Sequence, residues 1–223
     1  MAAKLSFVIP TLNAQAGLER SLPPLGEGLT SGLIRDLVIS DGGSTDGTVQ
    51  IAEAAGARLV TGSASRGGQL RRGAEAATGE WLFFLHADTV LPPGWTDGVY
   101  AHLGSGQPAW CPMQFDHVSM PARFVAGWAN LRARVCSLPY GDQGLLISRD
   151  EYDRVGGFRD QPLMEDVAMS RTLGRRLMPM PVTVTTSADR YLREGWLRRG
   201  ARNLSLLMRY LTGADPDRLA GKY

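Results

Sequence analysis

The sequence predicts an α/β domain built on a mostly parallel, Rossmann-like sheet with helices on both faces, and three observations carry that expectation. Apolar, strand-like runs alternate with helical stretches through the first hundred residues, the pattern of crossover units. The linkers between them are short, which suits one domain better than several. The run Trp81-Leu82-Phe83-Phe84-Leu85 is apolar on both faces, as a central buried strand must be.

Strands are expected at Leu5–Pro10, Ile34–Ser40, Arg58–Thr61 and Glu80–His86. Helices are expected at Ala16–Leu22, broken or restarted by Pro23-Pro24, at Thr45–Ala55 and at Gly67–Ala77. Beyond Pro92-Pro93 the pattern gives a helix near Trp95–Leu103, a strand over Ala109–Phe115 and a helix opened by Pro121. In that helix Phe124, Trp128, Leu131 and Val135 recur at helical spacing, a stripe better suited to a core than to a cofactor. A strand over Leu145–Ser148 follows, then a helix starting at Glu165-Asp166. With no internal repeat, the second half is expected to extend the same sheet.

The last helical stretch, Leu192–Leu211, is basic and amphipathic, combining Trp196, Leu197, Leu204, Leu207, Met208 and Leu211 with Arg198, Arg199, Arg202 and Arg209. Docking of its apolar face on the sheet, with solvated arginines, is the preferred reading; contact with an anionic membrane, or closure over a diphosphate, is the other.

Composition narrows the function classes. A chain of 223 residues, 43% hydrophobic and 21% charged, is long enough for a sizeable core. With 24 Lys and Arg against 22 Asp and Glu it is too balanced for a general nucleic-acid binder. Lys4 and Lys222 are the only lysines, and an arginine-rich surface suits phosphates through the planar guanidinium fork. Cys111 and Cys136 make neither a metal pattern nor a disulfide framework, so a reduced, cytoplasmic chain is expected. The start lacks the apolar core of a signal peptide, and no run approaches the roughly 20 apolar residues of a membrane span. At most, peripheral membrane contact is expected.

Ligands of open α/β sheets bind outside the carboxyl ends of the strands, which directs attention to Asp41 and Asp88, each just past an apolar strand. In Asp41-Gly42-Gly43-Ser44-Thr45-Asp46-Gly47-Thr48, turn and capping chemistry account for Ser44, Thr45 and Asp46 but leave Asp41 unexplained. A carboxylate there could accept a hydrogen bond from the N–H of a uracil ring or from ribose hydroxyls. Asp88 emerges rigidly at the crevice, where a carboxylate with substrate phosphates suits Mg²⁺ or Mn²⁺ better than it suits mere turn chemistry. His86 is a second partner, an Mn²⁺ ligand or, as preferred, a satisfied buried histidine. Strand one ends in Pro10-Thr11-Leu12-Asn13 without G-x-G-x-x-G, which argues against NAD or FAD, and it lacks the basic glycine-rich loop of nucleotidyl transfer.

Ser6–Asn13, Asp41–Thr48, His86-Ala87-Asp88 and Glu165-Asp166, in this order, resemble the family 2 glycosyltransferases. Leu85–Thr89, Gly141-Asp142-Gln143-Gly144 and Pro162–Asp166 are further similar to a short bacterial branch, the radical-SAM/selenodomain-associated transferase 2 group. The resemblance implies the GT-A fold of nucleotide-diphospho-sugar transferases, with residues 1–103 as the donor half, 104–189 as the acceptor and catalytic half, and 190–223 as the basic helix. It implies that Pro10, Thr11 and Asn13 border the nucleotide, that Asp41 holds the base, and that Arg66 to Arg71 include a nucleotide-facing arginine. Asp88 would bind Mg²⁺ or Mn²⁺ against the diphosphate. Asp166, ahead of Glu165, would be the base of an inverting transfer to a small-molecule or lipid-linked acceptor.

Elementary chemistry agrees in outline, since two adjacent acids at a helix start can divide the labour of base and orienter, although such acids also simply complement a helix dipole. Asp142 and Gln143 either meet sugar or acceptor hydroxyls or form a polar turn. The chain departs from the family pattern at Ser40 and His86, where relatives carry acids, and that departure gives weight to a second hypothesis, a non-catalytic nucleotide-sugar-binding protein.

Overall fold

The structure, a computed structural model, describes residues 4–221. The expected alternation opens it: β1 (Leu5–Thr11), α1 (Gln15–Ser21), α2 (Leu25–Thr30), β2 (Ile34–Asp41), α3 (Thr48–Ala54), β3 (Arg58–Thr61), α4 (Arg66–Ala76) and β4 (Trp81–Phe84). Next come β5 (Thr89–Val90), α5 (Trp95–Leu103), β6 (Ala109–Trp110), β7 (Met113–Phe115), α6 (Met120–Cys136), β8 (Leu145–Ser148), α7 (Arg149–Arg154) and α8 (Glu165–Leu173). The chain continues through β9 (Met178–Pro179), β10 (Val184–Thr186), α9 (Asp189–Glu194), α10 (Trp196–Leu211) and α11 (Pro216–Ala220).

Seven strands form one sheet in the order β3-β2-β1-β4-β8-β6-β9. β3, β2, β1 and β4 are mutually parallel, whereas β8 runs antiparallel to both β4 and β6. Side chains alternate across β1, so Leu5, Phe7 and Ile9 enter one core layer and Val8 the other. Leu18, Leu25, Ala52 and Trp95 from the helices cover the first layer, and Leu70, Ala74, Tyr152 and Met169 cover the second. Phe7 stacks on Phe83 at 5.1 Å and meets the edge of Trp95 at 5.5 Å, and full burial of such a ring contributes about 1.5–3 kcal/mol.

The expectation of a single, mostly parallel GT-A sheet is overturned: three strands leave it to form a separate sheet, β5-β10-β7. The physical reason lies partly at Pro112, which has no N–H to continue a ladder. The strand expected over Ala109–Phe115 splits there, β6 joining the large sheet and β7 pairing with β10. β5 follows Asp88 directly and also pairs with β10. The second half therefore adds a second layer and an antiparallel strand instead of extending one parallel sheet.

Two helix expectations also change. On α6 the residues turned inward are Ala122, Ala126 and Ala133, small enough to let the helix approach β7 closely, and the stripe of Phe124, Trp128, Leu131 and Val135 faces outward. The C-terminal stretch is interrupted at Gly195, whose φ of 86° separates α9 from α10. α10 docks Leu206 and Leu207 on Leu163, Met164 and Val167, not on the sheet, and Arg199 is buried against Glu194 at 2.9 Å instead of solvated. Among the described residues no helix is long and apolar enough to cross a membrane.

Candidate active site

β1 and β4 stay paired up to Val8 and Phe84, and the Leu85 N–H still reaches the Val8 carbonyl at 3.1 Å. Past that point β4 ends, while β1 continues with β2 as far as Thr11 and Asp41. The gap so formed lies outside the carboxyl ends of the strands, where open α/β sheets take ligands.

Asp41 is 1% exposed and serves the turn itself. Thr11 Oγ1 donates to its Oδ1 at 2.8 Å, the N–H groups of Gly43 and Ser44 donate to Oδ2 at 2.8 and 2.7 Å, and Ser44 Oγ donates to Oδ1. Burial alone would raise this acid, but the hydrogen bonds from Ser44, Thr11 and Gly43 outweigh it and hold the carboxyl below its ordinary range. Four donors occupy the sites that a base or ribose would otherwise use. Asn13, in the left-handed region at φ 50°, clasps the same turn: its N–H donates to Ser44 Oγ and its Oδ1 accepts from the Thr45 N–H, both at 2.8 Å. Gln69, which the sequence reading passed over, donates from Nε2 to the carbonyls of Thr11 and Ser40 and ties β1 to β2. Pro10 lies in β1 beyond the β4 ladder, where its missing N–H leaves no partner unsatisfied.

α4 brings an arginine to the catalytic candidates. Its Ser65 cap donates from Oγ to Asp160 Oδ1 at 2.6 Å, and the Gly67 N–H donates to the Gln161 carbonyl at 3.0 Å. A Cβ at Gly67 would lie 1.9 Å from the Arg159 carbonyl oxygen, so only glycine lets this helix start sit on the loop ahead of α8. Arg66 Nε is thereby held 3.8 Å from Glu165 Oε1. Arg71, roughly 140° further round the helix, is exposed, and its charge is felt at Tyr152, away from the gap.

Glu165 is 1% exposed, and neither of its carboxyl oxygens accepts a hydrogen bond among the described residues. Burial and the neighbouring Asp166 charge push it up to about 8 against the opposing pull of Arg66. Asp166 is held differently: Oδ2 accepts the Gly141 N–H at 2.8 Å and Oδ1 accepts the Val167 N–H at 2.7 Å. A small, partly open pocket lies between Phe84–His86, Tyr140-Gly141 and Glu165-Asp166.

The 141–144 segment crosses this space, and it departs from expectation in two places. Gln143 is fully buried; its Oε1 accepts from the Tyr140 N–H and from Arg132, its Nε2 donates to Asn130 Oδ1, and its burial keeps it from a sugar hydroxyl. His86 is not the satisfied histidine expected, because its Nε2 is enclosed without a partner among the described residues. Burial and the Arg66 and Arg190 charges hold that imidazole well below its usual range. Asp142 stays available: Oδ1 is unpartnered, and burial, with the Asp166 and Asp88 charges, pushes the acid up to about 6 while Arg132 and Arg66 oppose the rise. Arg132 also lies over the Tyr140 ring, 3.4 Å from its centroid, and neither was singled out from sequence because only the fold brings them together.

Asp88 is half-buried and close enough to Asp142 for its charge to register there. Among the described residues no three acidic, histidine or cysteine side chains converge to hold an ion by themselves. A divalent cation here would have one protein carboxylate and draw its remaining ligands from phosphate and water, a donor set that Mg²⁺ and Mn²⁺ accept.

Residues 6–165 match the family model described as glycosyl transferase family 2. Among curated relatives, the chain is 37% identical over 118 residues to the PGL/p-HBAD biosynthesis glycosyltransferase of Mycobacterium tuberculosis, covering 49% of this chain and 45% of that one. It is 32% identical over 97 residues to glucosyl-3-phosphoglycerate synthase of the same organism, covering 40% of this chain and 30% of the relative. The chain thus spans less than half the length of these curated relatives. Among solved structures, it is similar to that synthase in complex with Mn²⁺, UDP and glucosyl-3-phosphoglycerate, with a TM-score of 0.50, 25% identity and 76% of each chain covered. It shares its fold with S. aureus TarS at a TM-score of 0.62 and 13% identity, over 97% of this chain and 41% of that one.

Proposed function

Because the chain belongs to glycosyl transferase family 2, we propose that it moves a sugar from a nucleoside-diphosphate donor, a UDP-sugar, to an acceptor hydroxyl with inversion at the anomeric carbon. The observation that carries this reading is the setting of Asp166. Two backbone N–H bonds fix its carboxylate at the start of α8, beside the space under the strand ends, with lone pairs left over for an acceptor.

In this reading Asp166 takes the proton of the acceptor hydroxyl as that oxygen bonds to the anomeric carbon. The carbon–oxygen bond to the diphosphate breaks on the opposite face, and the electron pair leaves with the phosphate. Arg66, next to Glu165, is the arginine assigned to the diphosphate, and Glu165, whose carboxyl burial and the Asp166 charge push upward, adds less negative charge beside the leaving group than an ordinary carboxylate would. Asp88 would hold Mg²⁺ or Mn²⁺, which when bound supplies positive charge against the departing diphosphate. The similar synthase solved with Mn²⁺ and UDP supports a divalent cation and a UDP-sugar donor. Asp142 is the remaining candidate for sugar or acceptor hydroxyls. Pro10, Thr11, Asn13 and Asp41 shape the nucleotide pocket through the turn they build.

The acceptor is a small molecule or a lipid-linked one, met in the cytoplasm or at the inner face of a membrane. Placement in the radical-SAM/selenodomain-associated branch rests on the sequence segments alone; the relatives support the family and not that branch.

Calorimetric titration with UDP in Mn²⁺, repeated after chelation, paired with Asp166→Asn, tests the proposal. Metal-dependent UDP binding that survives in the variant, with transfer lowered by about 10²–10⁴-fold, is expected. Full transfer by Asp166→Asn removes the assignment of the base, and UDP binding without any transfer by the parent chain favours the non-catalytic binder.

A further inference from the structure

We propose that α6 and α10 together form a docking face for an anionic lipid bilayer. The outward stripe of α6 is continuous: Met120, Phe124, Trp128, Leu131 and Val135 are 76%, 75%, 51%, 53% and 72% exposed. α10 repeats the device with Leu197, Leu204, Met208 and Leu211, of which Leu197 is 88% exposed. Spacings of three, four and seven residues put each set on one side of its helix, and the two helices are in contact. α6 is turned against the usual logic of a soluble domain, its alanines inward and its large apolar groups outward. Set on one docking face, the two stripes together would exceed the scattered apolar residues of an ordinary surface.

The charges select the occupant. α6 carries Arg123, Arg132 and Arg134, α10 carries Arg198, Arg199, Arg202 and Arg209, and neither helix contains an Asp or Glu. Arg199 and Arg202 pair with Glu194, and Arg132 is engaged with Tyr140, so the arginines beside the stripes are Arg123 and Arg134 on α6 and Arg198 and Arg209 on α10. Each lies roughly 100° round its helix from the stripe, at the height of lipid headgroups when the stripe enters the acyl boundary. Two copies of this face would oppose like charges, whereas phosphate headgroups complement it. Trp128 sits in the stripe as an aromatic suited to the membrane interface.

The inference stands apart from the transfer reaction, and the two are measured separately. The full chain is sedimented with phosphatidylglycerol-rich vesicles and with pure phosphatidylcholine vesicles, while UDP titration follows the nucleotide site. Binding to the anionic vesicles is expected, falling by about tenfold or more in the Phe124→Ser, Trp128→Ser double variant and in high salt. Arg198→Gln with Arg209→Gln should remove most of the preference for anionic lipid, and UDP binding should be unchanged in both double variants. Circular dichroism establishes that the variants are folded. Failure of the parent chain to bind the anionic vesicles, equal binding by the Phe124→Ser, Trp128→Ser variant, or a self-association that this variant abolishes in place of vesicle binding would overturn the proposal.

Discussion

The backbone N–H of Gly141 donates a 2.8 Å hydrogen bond to Asp166 Oδ2, and the same residue lies so near His86 that a Cβ on it would come within 2.3 Å of Nε2. One glycine therefore sets both the distance of its loop from the strand-end histidine and the orientation of the proposed base. Gly141→Ala should push the loop away and lengthen the bond. A hydrogen bond to a charged group contributes about 1.5–3 kcal/mol, so kcat is expected to fall roughly ten- to a hundredfold with UDP affinity kept. Steady-state transfer kinetics beside UDP titration would show this split.

Asp88 has a different expected signature. Asp88→Ala should abolish the difference between UDP affinity measured with Mn²⁺ and with chelator, and leave the metal-free affinity nearly unchanged. A variant that keeps the full metal effect would show that the ion is held elsewhere.

Glu165 predicts a pH dependence of stability. Its folded value is raised to about 8 from an unfolded 4.5, so the acid is neutral in both states at low pH. As pH rises through that interval the unfolded chain ionises first, and stability is lost until the folded acid also ionises. Glu165→Gln should flatten the decline between about pH 4.5 and 8 in denaturant midpoints measured across pH. An unchanged slope would mean that the Arg66 contact keeps the acid charged.

Asp41 works in the opposite sense. Its folded value is depressed below 3.8, so its contribution is present above that pH and is lost as pH falls through the folded value. Asp41→Ala leaves the Thr11 and Ser44 hydroxyls and the Gly43 and Ser44 amides without their acceptor, at a cost of about 1–3 kcal/mol or more. Thermal melts at neutral pH should show the loss, and melts near pH 3 should show a smaller one.

The sequence made β1 to β4 legible because strands buried on both faces are apolar throughout, and it marked Asp41, Asp88, Glu165 and Asp166 because carboxylates at strand and helix ends stand out. It could not show how many donors converge on one carboxylate. Asp41 looked unexplained by its turn until Thr11, from the neighbouring strand, was seen to close it. Gln143 was expected to meet sugar or acceptor hydroxyls or to form a polar turn, yet its partners Asn130 and Arg132 lie on α6, earlier in the chain. The stripe on α6 had the right period and the wrong direction, since periodicity defines a face without saying which way it turns. The second sheet stayed hidden because β5 has two residues and β7 and β10 three each, too short for an alternation pattern.

That small sheet has a consequence for the order of assembly. β1 to β4 all lie within the first 84 residues and can pair while the rest of the chain is still emerging from the ribosome. β5, immediately after Asp88, finds its partner only when β10 has been made, nearly half the chain later. The small sheet is therefore completed late, after the sheet that carries Asp41. A nascent or truncated chain ending before Val184 would hold a finished turn at Asp41 while the strand that follows Asp88 still lacked its strand partner.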